Sequence, residues 1–259
     1  MRIAGTKKKS VRSAEILSIL HNRISISIID LTKAMNVSLS TIRRDVQELV
    51  EEGLVKQKAG QVEIAGAIGR EQSFALRAML GQGEKQRIAA TALELIENGD
   101  IIFIGGGSTT LEFARLLQGK RRLTIITHSL RVASLLVDKA GIDLLVLGGA
   151  ILPGEQTMHG HLTEWATQQF RANKIIYGIQ AFSVQHGLTI SQPVEVNTDR
   201  AIARMVDQII LLADHTKFGK VAPISVMPAR DIHVIVTGRE LDHQIADEIE
   251  RAGIRLILA

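Results

Sequence analysis

The chain has 259 residues, enough for two domains, and 46% hydrophobic residues can build sizeable cores. It has no cysteine, which excludes a disulfide frame and thiolate chemistry, and 3% aromatic residues argue against base-stacking platforms for single-stranded nucleic acid or RNA. The net charge of +4 is unevenly spread: residues 1–60 hold eleven Lys and Arg against six Asp and Glu, which leaves the rest of the chain near neutral.

In chain order, Lys7-Lys8-Lys9 alone reads as a solubilising end or an arm that touches phosphate. Val11, Ile16, Leu17 and Leu20 then fall on one helical face. Ser27-Ile28-Ile29-Asp30 reads as the capped start of a helix running to about Met35, with Ile28, Leu31 and Met35 inward. The turn Asn36-Val37-Ser38 leads into a second helix whose Ile42, Val46, Leu49 and Val50 face the same small core, and Gly53 supplies a left-handed stop. Two helices joined so closely make a helix-turn-helix. Ser38, Ser40, Thr41, Arg43, Arg44 and Gln47 are left outward, and two adjacent arginines among hydroxyls suit the reading of double-stranded DNA. Leu54 to Ile64 reads as an extended hairpin, and Lys56 and Lys58 make it a candidate wing. A basic module on a near-neutral body fits attraction to the phosphates of an operator; the plainer reading is a solvated basic face on an ordinary helical domain.

The periodic pattern loosens over Ala65-Gly66-Ala67-Ile68-Gly69-Arg70. The division expected is a winged helix-turn-helix over residues 9–65, a linker over 66–83 and an α/β domain over 84–259. In that last part, helices are predicted over Glu84–Glu97, Thr109–Leu117, Leu130–Asp138, Leu162–Arg171, Glu195–Val206 and Asp242–Ala252. Strands are predicted over Ile101–Ile104, Leu123–Thr127, Asp143–Leu147, Lys174–Gly178, Gln208–Ala213, Ile232–Val236 and Ile254–Leu258. Buried strands alternating with helices indicate a mostly parallel sheet covered on both faces, in which ligands sit at the carboxyl ends of the strands. After the first of them comes Gly105-Gly106-Gly107-Ser108-Thr109-Thr110, whose glycines, free amides and hydroxyls suit a phosphate, although such a turn can also serve tight packing alone. It lacks the lysine of a P-loop and the spacing of a dinucleotide fingerprint. Lys217, at a strand's carboxyl end after Asp214, could bring an ammonium to the same crevice or simply pair with Asp214 at the surface.

His159-Gly160-His161, with His128 and His186 as possible further ligands, raises a metal reading, but two loop histidines without a third ligand at known spacing are better read as polar lining at a pocket mouth or as surface residues. Neither a metal site nor a cofactor is therefore expected. Trp165 is expected in the core or an interface. The charged N-terminus is not followed by an apolar region, and no apolar run approaches the roughly 20 residues of a membrane span, so a cytoplasmic protein with no membrane partner is expected.

Leu31, Val37-Ser38, Thr41-Ile42-Arg43-Arg44-Asp45 and Gly53-Leu54 resemble the N-terminal domain of the DeoR family of bacterial transcriptional regulators. That family usually carries an arginine, a histidine and two glycines in the wing, where this chain has Lys56, Lys58, Ala59 and Gly60. From Glu84 to Leu258 the chain resembles the family's effector domain, related in fold to ribose-5-phosphate isomerase A. The positions that carry this are the Gly105–Thr110 loop, Thr127 with Ser129-Leu130, Leu147-Gly148-Gly149, Gly160, Gly178, Glu195, Arg200-Ala201 and Asp214-His215-Thr216-Lys217-Phe218-Gly219. The resemblance implies a phosphorylated sugar effector held by Gly105, Gly106, Gly107, Ser108, Thr109, Thr110, His128, Gly149, Glu195, Asp214 and Lys217. Gly105, His128 and Asp199 depart from it, standing where aspartate, asparagine and often lysine are found. The related isomerases carry acidic residues after the strand that matches Lys174–Gly178, whereas Ile179-Gln180-Ala181-Phe182-Ser183 has no carboxylate. The reading is a regulator, a repressor of a carbohydrate-use operon, acting as a homodimer or homotetramer because one module makes too few base contacts. The alternatives are a second domain that binds another small anion or only oligomerises, and a weak isomerase.

Overall fold

The computed structural model describes residues 12–17, 19–20, 25–65 and 73–259. Lys7-Lys8-Lys9, Val11 and most of the loosened stretch after Ala65 lie outside them. The chain divides into two compact units, Met1–Gly81 and Gln82–Ala259.

In the first unit, residues 12–17 and 19–20 are helical (α1), followed by β1 (Ile26–Ser27), α2 (Ile28–Met35), α3 (Leu39–Glu51), β2 (Val55–Lys58), β3 (Gln61–Ile64) and α4 (Phe74–Met79). Ser27 caps α2 by accepting from the Asp30 amide at 3.0 Å, and Asn36 ends it in the left-handed conformation that lets the chain turn sharply. Ser38 then caps α3, and its far end closes when Leu54 N–H donates to the Leu49 carbonyl at 2.9 Å. Ala59 and Gly60, at φ 50° and 76°, form the two-residue turn that the twist of an antiparallel hairpin favours. Strand β1, absent from the sequence reading, adds to β3, so the wing is a three-stranded sheet. Ile16, Leu17, Leu20, Leu31, Ile42, Val46 and Leu49 form the core, joined by Leu76 and Leu80. Within the span 66–83 expected as a linker, Ser73 caps α4, which contributes Leu76 to this core.

The second unit is built on seven parallel strands in the order β15-β14-β12-β9-β4-β5-β6: β4 (Ile101–Ile104), β5 (Leu123–Thr127), β6 (Ile142–Val146), β9 (Ala172–Gly178), β12 (Val206–Leu212), β14 (Val234–Thr237) and β15 (Arg255–Leu258). Alternate residues feed two separate cores: Phe103, Ile175, Tyr177, Ile209 and Leu211 on one face, Ile102, Ile104, Ile176, Ile210 and Leu212 on the other. The covering helices are α5 (Gln82–Leu93), α6 (Ser108–Arg115), α7 (Leu130–Leu136), α8 (His161–Thr167), α9 (Val196–Ala203) and α10 (His243–Arg251). The hairpin β7 (Ala150–Leu152) with β8 (Thr157–His159) and an antiparallel sheet of β10 (Ala181–Ser183), β11 (Gly187–Ile190) and β13 (Ile224–Met227) were not anticipated. From β4 the chain winds outward through β5 and β6, then returns to β9 and winds the other way. The crevice of such a sheet therefore opens at the carboxyl ends of β4 and β9. Among the described residues no helix is long and apolar enough to cross a membrane.

Candidate functional site

On α3 Ile42, Val46, Leu49 and Asp45 turn inward, and Arg43, Arg44 and Gln47 are exposed. Ser38, Ser40 and Thr41 cluster at its start, the Ser38 hydroxyl lying 3.1 Å from that of Ser40 and 2.8 Å from that of Thr41. Lys56 and Lys58 are exposed on β2. Sequence reasoning missed Asp45, which is fully buried and accepts two hydrogen bonds from the Arg12 guanidinium at 2.6 and 2.9 Å. Such a paired geometry fixes α3 against α1 through a charge-assisted fork. The helix presenting Arg43 and Arg44 is therefore held from behind by both apolar packing and this ion pair.

In the second unit the glycine loop has specific packing reasons. A β-carbon at residue 105 would lie 2.9 Å from the Tyr177 ring, and one at 106 would run into the Thr157 methyl. Gly107 has φ 129°, a backbone conformation unfavourable for side-chain-bearing residues, and precedes α6 without a side-chain cap. The first amides of α6 are thus left for a ligand or water. Ser108, Thr109 and Thr110 are buried, and the Thr110 hydroxyl donates back to the Gly107 carbonyl at 3.0 Å.

His128 follows β5 and is buried, its ring stacked on Phe103 and set edge-on to His159 at centroid distances of 5.5 and 5.3 Å. Burial, with His159 adding to it, pushes the His128 pKa down to about 3, and burial lowers His159 despite Glu155. Both rings are neutral at pH 7. The Nε2 of His159 lies 2.8 Å from the Thr157 hydroxyl, and Tyr177 is hydrogen-bonded to Asp199 on α9. Burial and the Asp199 carboxylate push the Tyr177 hydroxyl well above its usual range, with Glu195 contributing, so it stays a donor. The structure therefore brings the glycine loop, His128 and Glu195 together around Tyr177, Thr157, His159 and Asp199. Four of these seven features were outside the predicted effector set.

Gly149 packs beneath this group: a β-carbon there would lie 2.8 Å from the His159 carbonyl and would run into the Thr163 hydroxyl. Asp214 and Lys217 stand at the end of β12, two strands from β4. Asp214 caps the 3₁₀ turn holding Lys217 and lies 4.0 Å from the buried Lys85 ammonium. Its burial alone would raise its pKa, but Lys217, Thr216 and Lys85 outweigh that and lower it. His161 and His186 are exposed, and Trp165 is 56% exposed on α8, so it is not a core residue. A groove of about 580 Å³ lined by Arg200, Arg204, Val206 and His233 lies at the amino end of β12, the opposite end of the sheet from the loop.

The DeoR-like helix-turn-helix domain matches residues 12–66, and the DeoR C terminal sensor domain matches residues 81–239. The chain belongs to the DeoR family. Similar proteins include the transcriptional repressor AccR of Agrobacterium fabrum, 31% identical over 87% of this chain and 88% of its own length. The HTH-type transcriptional regulator GolR of Listeria innocua is 28% identical over 96% and 98%, and a putative aga operon transcriptional repressor of Escherichia coli O157:H7 is 26% identical over 99% and 95%. Among solved structures, ribose 5-phosphate isomerase A of Methanocaldococcus jannaschii is similar over 53% of this chain and 54% of its own, with 17% identity and a TM-score of 0.39. This DeoR-family member is a DNA-binding transcriptional regulator with a sensor domain, not an enzyme, and the isomerase alternative is not favoured.

Proposed function

We propose that this DeoR-family regulator represses a carbohydrate-utilisation operon in the cytoplasm, binding its operator as a homodimer or homotetramer and responding to a phosphorylated sugar. The observation that carries the DNA half is the Arg43–Arg44 pair, exposed on a helix whose inner face is fixed by core packing and Asp45. Ser38, Ser40, Thr41 and Gln47 complete the surface that enters the major groove, and Lys56 and Lys58 of the wing contact phosphate. The sensing half draws support from the sensor-domain match and from the uncapped start of α6 after Gly105-Gly106-Gly107, where loop amides and the Ser108 and Thr109 hydroxyls suit an anion. Lys217 supplies a cation near Asp214 for the same ligand.

The test is fluorescence anisotropy with an operator selected from random duplexes. Arg43→Ala with Arg44→Ala removes at least one base-edge contact of about 1–3 kcal/mol, so affinity drops roughly tenfold or more while circular dichroism stays native. Lys56→Ala and Lys58→Ala each weaken binding to all sequences alike and reduce the salt slope by about 1. Unchanged operator affinity in the folded double arginine variant would remove α3 as the recognition helix.

A further inference from the structure

Three side chains from separate parts of the second unit converge beside the glycine loop: His128 after β5, His159 at the end of β8 and Asp199 in the first turn of α9. All three are buried, and one ligand atom from each lies within 4.8 Å of the others. Neither His128 Nδ1 nor His159 Nδ1 has a hydrogen-bond partner among the described residues, although both atoms are shielded from solvent. A buried ring nitrogen left so is costly, because it has lost water and gained nothing. We propose that His128, His159 and Asp199 form a binding site for a divalent transition-metal ion of the zinc type.

The donor chemistry selects that class. Two imidazole nitrogens and one carboxylate oxygen suit zinc, whereas magnesium and calcium take oxygen shells. Zinc bonds of about 2.0–2.1 Å in a tetrahedron put donors about 3.3 Å apart, so the side chains must close by up to about 1.5 Å on binding. The surroundings are those of an oriented site. The Thr157 hydroxyl bonds the far nitrogen of His159, leaving Nδ1 to coordinate, and the Tyr177 hydroxyl holds the Asp199 carboxylate. Three protein ligands leave the fourth position open, and Thr157 itself packs against Gly106, so an oxygen of a molecule seated on the loop can complete the shell. The site does not depend on the effector being a phosphorylated sugar.

The experiment uses the untagged full-length chain, stripped with a chelator and then given zinc alone, without DNA or sugar, so its outcome is separate from that of the effector assignment. Equilibrium dialysis with elemental analysis should find one zinc per chain, and magnesium should not compete. His128→Asn and Asp199→Asn should each weaken zinc binding about 100-fold or more, since residues that merely orient a metal ligand already change affinity 10–100-fold. His161→Ala and His186→Ala, at exposed histidines, should leave it unchanged. X-ray absorption of the wild-type zinc form should read two imidazole ligands, which tests the site even if a variant fails to fold. Substoichiometric zinc in the wild type, a shell without two imidazoles, or wild-type affinity in folded His128→Asn and Asp199→Asn would each overturn the proposal.

Discussion

At the scale of single residues, Asp45 shows how a charge can serve a DNA-reading helix from the inside. Its carboxylate is 1% exposed, and the Arg12 guanidinium reaching it is 25% exposed, so water screens the pair from one side only. Arg12→Ala leaves the carboxylate buried without its fork, and a buried pair broken this way costs about 3–5 kcal/mol, which the partial exposure of Arg12 reduces to about 2–3. The urea midpoint of the N-terminal unit, read by circular dichroism of the full chain, should fall accordingly. Removing both charges, in Arg12→Ala with Asp45→Ala, should recover part of the loss because no stranded carboxylate remains. A double variant less stable than Arg12→Ala alone would show that packing, not the charge, was lost. None of this was legible in the sequence: Asp45 sits beside Arg44 in what reads as a polar stretch, and its partner lies 33 residues upstream.

At the scale of elements, the two strands that meet where the winding reverses are tied at their amino ends. Asp100, just before β4, accepts from Lys174 Nζ on β9 at 2.7 Å and from Asn173 Nδ2 at 2.7 Å. Burial would raise the Asp100 pKa, yet the Lys174 ammonium, the Glu97 amide and Asn173 bring it below the usual carboxylate range. A depressed folded pKa means stability that is present above the unfolded carboxylate value of about 3.9 and lost as pH falls through the lower folded value. Melting temperature should therefore drop steeply with acid over that window, and Asp100→Asn should lower it at pH 7 while flattening the acid limb. An equally steep limb in Asp100→Asn would assign the acid sensitivity elsewhere. Elements with strong local patterns were readable: β4 is a continuous apolar run, β5 carries Leu123, Ile125 and Ile126 between threonines, and α3 has a cap, a 3.6-residue period and a glycine stop. The short β7–β8 hairpin and the β10-β11-β13 sheet were not, since strands of three or four residues show little alternation, and β11 is buried throughout. Helix α4, with six residues, is too short to display a period, though Ser73 was a visible cap. The candidate site shows the same split. The Gly105–Thr110 loop is one contiguous motif, whereas His128, His159, Tyr177 and Asp199 come from four places that only the sheet brings together.

At the scale of the whole molecule, a regulator with a DNA-binding unit and a sensor unit must obey linkage. An effector that lowers operator affinity by some factor must itself bind more weakly, by that same factor, when operator is present. Calorimetric titration of the best hit from a sugar-phosphate thermal screen, with and without saturating operator, is expected to show this reciprocity; a ligand bound with identical affinity in both states is not the regulatory one. The place of α4 bears on any attempt to separate the units. Leu76 and Leu80 complete the first core, and Gln82 already opens α5 of the second, which leaves Gly81, at φ 59°, as the junction. A fragment ending at residue 65 should lose about 2–5 kcal/mol for each such buried leucine, and one ending at Gly81 should keep it, as denaturation of the two peptides would show. The same junction sets the rule for building chimeras: to graft this operator-reading head onto a foreign sensor, the splice belongs after α4 rather than after the wing, because residues that look like spare tether travel with the head.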